Sequence, residues 1–258
     1  MNIKKLLSIV LLSFLSVSLF AQNGKRDFYE LRIYHIENAS QESQIDGYLE
    51  KALLPAFHRN GIAKVGVFKP IASQADAGKK VYLFIPYSSM KAYSEMEGKL
   101  AKDQVYQQAG AAYINAAFEN PPYQRIETAF LQAFTGHPRY SEPNLTGPKK
   151  DRVYELRSYE SPTEKLYKQK VKMFNEGEMD IFTKLNFNPV FYGEVIAGAS
   201  MPNLMYMTTF ETIESREAHW KAFGSDEDWN RMKVMPEYQN IMNKNDQRLL
   251  YPTDYSDF

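Results

Sequence analysis

The hexapeptide YELRIY at Tyr29 to Tyr34 returns as YELRSY at Tyr154 to Tyr159, with five of six residues kept in order. The repeat extends beyond this motif. Tyr154 lies 125 residues after Tyr29, and the same offset carries Phe57 onto Phe182 and Val65 onto Val190. Further along the offset becomes 123, with Tyr87 on Phe210, Tyr106 on Trp229, and Gln124-Arg125 on Gln247-Arg248. One net two-residue deletion accounts for the change. Self-similarity at a fixed period marks a duplicated structural unit whose copies can each bury what the other exposes. The copies are assigned to 28–134 and 152–258. They are joined by a linker at 135–151, where Pro138, Pro143 and Pro148 stand among polar residues.

Periodicity gives the order of elements in each copy. FYELRIYHI is a β-rich run. From Ser40, read as an N-cap, apolar residues recur at three- and four-residue steps to Phe57, an amphipathic helix that Pro55 should kink or split. Two strands follow, then a helical stretch over 88–117 and a last strand near QRIETAFLQAF. The second copy repeats the order, with helices over 162–185 and 213–242. The expected fold class is α+β: two tandem ferredoxin-like βαββαβ domains pairing sheet to sheet as an intramolecular α+β barrel.

Alternation along a strand puts Tyr29, Leu31 and Ile33 on one face and Glu30, Arg32 and Tyr34 on the other. The first set is expected to meet the helices. The second set, with Glu155, Arg157 and Tyr159, is expected between the two sheets. Charges there must be paired or must line a cavity. Two readings stay open: ion pairs that fix sheet register, or a polar pocket between the sheets in which Arg holds an anionic group and Tyr a ring or hydroxyl.

Composition narrows the function classes. The 31 basic and 31 acidic residues balance, and no basic run exceeds two residues, so the electrostatic footprint of a nucleic-acid binder is missing. The chain has no cysteine, which removes disulfides, thiolate metal sites and a cysteine nucleophile. Lys4 and Lys5 precede an apolar run from Leu6 to Phe20, followed by Ala21. Residues 1–21 therefore read as a signal peptide cleaved after Ala21, which implies a secreted or periplasmic protein with no stable membrane insertion after cleavage.

The YELR strands, the helix end LLPAFHRNG and the segment HWKAFGSDEDWNRM together resemble the NIPSNAP family of the dimeric α+β barrel superfamily. The match includes Trp220, Phe223, Asp226 and Trp229. The resemblance implies a ferredoxin-like unit that pairs into a barrel, and no common reaction or catalytic residue set to carry over. KDQVYQQ in the first copy departs from SDEDWNR in the second, with Tyr106 against Trp229, which would confine a site built on that segment to the second copy.

Signatures of α/β-hydrolases, zincins, P-loop and Rossmann proteins are missing from the sequence. No two of the four histidines lie at metal-ligand spacing, so neither a metal nor a cofactor is expected. His219, near Arg216, Trp220 and Phe223, is either a ligand contact or a half-exposed helix histidine. Trp220 and Trp229 are core anchors or stacking platforms. Glu176, Glu178 and Asp180 read as a solvated helix face. Candidate ligand-binding residues are thus Glu30, Arg32, Tyr34, Glu155, Arg157, Tyr159, His219, Trp220 and Trp229. The favoured function is binding of a small molecule or partner in or around the inter-sheet cavity. The alternatives are a cofactor-independent oxygenase or isomerase-type enzyme and a partner-binding module. Internal pairing leaves homo-oligomerisation open.

Overall fold

A computed structural model describes residues 25–258, so the signal-peptide reading of residues 1–21 lies outside the described residues. In the first half, β1 (Phe28–His35) leads into α1 (Ala39–Tyr48), a π-helical turn (Leu49–Leu53) and α2 (Leu54–Arg59). Then come β2 (Gly66–Pro70), β3 (Lys80–Tyr87), α3 (Met90–Lys102), α4 (Gln104–Ala109), α5 (Ala111–Ile114) and β4 (Arg125–Ala133). The second half has β5 (Val153–Glu160), α6 (Glu164–Met173), a segment kinked at Gly177 (Phe174–Glu178), α7 (Met179–Lys184), β6 (Pro189–Ala197), β7 (Asn203–Phe210), α8 (Ile213–Ser225), α9 (Glu227–Met232) and β8 (Lys244–Pro252).

All eight strands close into one antiparallel barrel in the order β1-β3-β2-β8-β5-β7-β6-β4. Each half contributes four adjacent strands, and the seams are β2 with β8 and β4 with β6. Closure removes the free sheet edges. The termini of the halves reinforce the seams reciprocally. Phe134 and Ser141 donate backbone bonds to Tyr192 and Val190 of the β6 region, while Thr253 and Asp257 donate to Val67 and Val65 of the β2 region. The stretch read as a linker is therefore partly bound along the barrel wall.

Helix boundaries follow from side-chain caps, and the caps obey the repeat. Asn38 accepts from the Gln41 N–H where Ser40 was expected to cap, and Thr163 does the same for Leu166. Ser89 caps α3 as Thr212 caps α8, and Asp103 caps α4 as Asp226 caps α9. The kink expected at Pro55 appears as a π-helical turn ending just before it, with Pro55 in the first turn of α2, where its missing N–H leaves no bond unmade. The stretch expected to be helical over 88–117 is three short helices.

The faces of the YELR strands are the reverse of the expectation. Tyr29, Leu31, Ile33, Tyr154 and Leu156 point into the barrel and pack with Phe68, Phe84 and Phe191. Tyr29 sits 5.2 Å and 5.3 Å, ring to ring, from Phe84 and Phe191, which stack on each other at 4.7 Å. Backbone contact is so close at Gly66 that an added Cβ would lie 2.4 Å from the Phe68 ring. The lumen of an eight-stranded barrel is just wide enough to fill with side chains, and large aromatics fill it without stranding a charge. The space between the sheets is therefore packed, apart from a cavity of about 120 Å³ at one mouth, and it is not the expected polar pocket. Glu30, Arg32, Tyr34, Glu155, Arg157 and Tyr159 instead face the helices, where two further cores form.

Candidate functional site

In the second half the charged strand residues make a closed network. Glu155 is fully buried. Arg157 Nε donates to its Oε1 at 2.8 Å, Arg216 donates through Nε and Nη2 at 2.9 Å and 2.8 Å, and Trp220 Nε1 donates to Oε2 at 2.6 Å. The Arg157 guanidinium carbon lies 3.6 Å from the centre of the Trp220 ring. Arg157 Nη1 also donates to Tyr159, whose hydroxyl meets that of Tyr206 at 2.7 Å. Burial pushes the Glu155 carboxyl up, but the hydrogen bonds and charges of Arg216 and Arg157, with the Trp220 N–H, outweigh it and hold the group below its usual value. These groups saturate one another.

The equivalent place in the first half is open. Arg32 Nε donates to Glu30 Oε1 at 2.7 Å and the Tyr87 hydroxyl donates to Oε2 at 3.1 Å. The Arg32 side chain is 24% exposed, against 8% for Arg157. Beside this pair lies a cavity of about 400 Å³ between β1, β3 and helices α3 and α4, with Tyr48, Tyr87, Tyr93 and Tyr106 in its walls. The repeat explains the difference. At the 123-residue offset Tyr93 stands where the second half has Arg216, and Glu97 where it has Trp220. Both lie on α3, capped in the same register as α8, so the two pairs occupy matching positions along their helices.

The phenols of the pocket are proton holders. Burial raises Tyr48, with the neighbouring Tyr34 and the Tyr106 hydrogen bond adding to it, and burial followed by the Glu30 charge raises Tyr87. Burial acts to lower Arg32, yet the charge of the Glu30 carboxylate beside it, first among the opposing influences, helps to more than offset it, so the guanidinium stays charged. Tyr48 and Tyr106 hydroxyls bond to each other at 2.8 Å.

The remaining expected site residues lie apart from the cavity. Tyr34 is buried against Tyr113 and Tyr123 in the helix-side core. His219 turns its Nδ1 to the Ser215 carbonyl at 2.6 Å and sets its ring against Phe187 and Phe210. Trp229 packs on Phe223 at 4.5 Å, with the buried Lys170 ammonium 5.9 Å from its ring. Glu178 does not belong to a solvated face: it is 2% exposed and accepts from Lys170 at 2.7 Å. It directly follows the kink at Gly177, where the helix is interrupted. Sequence reading passed over Tyr93 and Glu97, whose alignment against Arg216 and Trp220 was the available signal.

The NIPSNAP family profile matches residues 154–257. The second half of the chain is a NIPSNAP domain. No curated protein matches the chain. Among solved structures, a candidate monooxygenase from Lactobacillus acidophilus NCFM aligns over 88% of this chain and 94% of its own, at 12% identity and a TM-score of 0.57. Another from Fusobacterium nucleatum aligns over 89% and 93%, at 10% identity and 0.56. An anthrone oxidase-like protein aligns over 90% and 93%, at 8% identity and 0.51. The likeness to these three establishes a shared α+β barrel fold around the NIPSNAP domain.

Proposed function

We propose that this chain binds a small planar organic molecule in the pocket of its first half, with the NIPSNAP domain of the second half serving as its filled, stabilising counterpart. On this reading the halves are tandem ferredoxin-like units, each with the order βαββαβ, that diverged after duplication. One observation carries it: the Glu30–Arg32 pair borders a cavity of about 400 Å³, while the corresponding pair is capped by Arg216 and Trp220. A cavity of that size, walled by tyrosine rings with a few convergent polar groups, suits a ligand of one or two fused rings. Export, proposed from Lys4, Lys5 and the apolar run Leu6 to Phe20, would bring such a ligand from outside the cytoplasm. A mature N-terminus at Gln22 would support it.

The second reading, oxygenation or proton transfer, draws on the monooxygenase names of two fold neighbours, and fold alone is weak support for an activity. In the pocket the raised phenols act as hydrogen-bond donors, leaving the carboxylates Glu30 and Glu97 as the groups that can accept a proton. Thermal shift against a panel of small aromatic acids, neutrals and amines tests binding. A stabilising response that disappears in Ser94→Trp, which plugs the cavity wall without touching Glu30 or Arg32, is the expected result. A response that survives the plug would place the ligand elsewhere and overturn the reading.

A further inference from the structure

The chain carries its own picture of the ligand. We infer that the first-half pocket takes a planar aromatic amine, whose ring stacks on the Arg32 guanidinium and whose N–H groups bond to Glu30, as Trp220 and Arg216 do to Arg157 and Glu155. This inference rests on the reading above and names the ligand class.

Two independent comparisons lead to it. The first is hydrogen bonding. Glu155 receives donors from Arg157, Arg216 and Trp220, whereas Glu30, 2% exposed, receives, among the described residues, Arg32 Nε and the Tyr87 hydroxyl alone. The Trp220 N–H and the paired N–H groups of Arg216 have no counterpart from Glu97 and Tyr93. A buried carboxylate with capacity to spare, facing a cavity, selects a ligand that donates. The second is charge. In the second half one carboxylate meets two guanidiniums. In the first half the second guanidinium is replaced by neutral Tyr93, and neutral Trp220 by the carboxylate Glu97, which lines the cavity. The pocket is thus two charges more negative than its counterpart, and the single Arg32 is already committed to Glu30. An anionic ligand would add to an uncompensated negative field, whereas an amine relieves it. The aromatic ring has a precedent in the Trp220 indole, 3.6 Å over Arg157, and a site walled by tyrosines accommodates it.

Titration calorimetry on the purified chain with tryptamine, 1-methyltryptamine and indole-3-acetate separates the terms. Tryptamine supplies an indole N–H and a cationic amine, the methylated compound lacks the N–H, and the acetate reverses the charge. The expected order is tryptamine tightest, with each of the others weaker by about tenfold or more, a loss of the size of one hydrogen bond to a charged group. Glu97→Trp, which restores the filling residue at an exposed helix position, should abolish tryptamine binding while keeping a cooperative melt. Equal binding of tryptamine and its methylated analogue, or preference for the acetate, overturns the inference and leaves the pocket reading standing. If no aromatic compound binds, both fall.

Discussion

The two halves carry the same strand motif and helix caps in the same register, and each breaks its first helix at the same place, by a π-helical turn in one and a kink at Gly177 in the other, yet one buries its ion pair in protein and the other leaves it beside a cavity. Two positions on one helix decide this. With Arg216 and Trp220 on α8, the carboxylate of β5 becomes the centre of a saturated cluster. With Tyr93 and Glu97 on α3, the carboxylate of β1 keeps unused acceptor capacity. On the reading proposed above, the two halves divide stability and binding between them, the saturated half holding the barrel while the other tolerates a void.

If that division is right, the same substitution should have unequal costs. Glu155→Gln leaves two guanidiniums around a neutral amide in a buried site and should destabilise the chain by about 3–5 kcal/mol. Glu30→Gln affects a single arginine that can reach solvent, and should cost about 1–2 kcal/mol. Urea unfolding of both variants measures the difference; equal costs would break the comparison. Trp220→Ala should come next, at about 3 kcal/mol, the low end for a large aromatic because this one is half-buried. That variant should also create a second pocket, so that added indole raises its melting temperature more than it raises that of the unchanged chain.

Why the fold was legible from sequence and the site only partly so is clearest at β1. Five repeated residues and an offset of 125 that shortens to 123 pointed to a repeated unit, and a repeat with βαββαβ order implied a barrel. Alternation then separated Tyr29, Leu31 and Ile33 from Glu30, Arg32 and Tyr34 correctly. It could not say which set faces inward, because period-two patterning is unchanged when the faces are exchanged. The deciding fact was collective: Phe68, Phe84, Phe191 and Tyr154 from other strands fill the lumen, and the charges are left to the helix side. Glu178 was misread for a related reason, since a local run of acids carries no trace of Lys170 two helical turns away or of the kink at Gly177 between them.

Acid should distinguish the halves more gently. Because Glu155 is held below its usual value in the folded chain, its contribution is fully present above about pH 4.3, the ordinary glutamate range, and is lost as pH falls through the lowered value. The unchanged chain should therefore lose stability on acidification more steeply than Glu155→Gln. Melting temperatures between pH 6 and pH 3, on the order of a few points in each, would show parallel curves if the cluster contributed nothing.

The smallest effect concerns the two hydroxyl pairs. Arg157 donates to the Tyr159 oxygen, and the hydroxyl of fully buried Tyr206, at 2.7 Å, is the acceptor available to the Tyr159 O–H, though either hydroxyl can donate in that pair. Tyr206→Phe leaves that O–H without an acceptor in a site water does not reach, and should cost about 1.5 kcal/mol. In the first half Tyr106→Phe breaks a bond of nearly the same length, but the Tyr48 hydroxyl then faces the cavity and can turn to water, so the cost should be about 0.5 kcal/mol. Denaturant titration resolves a difference of that size when both variants are measured together. Equal losses would mean that the first-half cavity is closed to water in solution, and the distinction between a filled copy and an open one would fail at its weakest point.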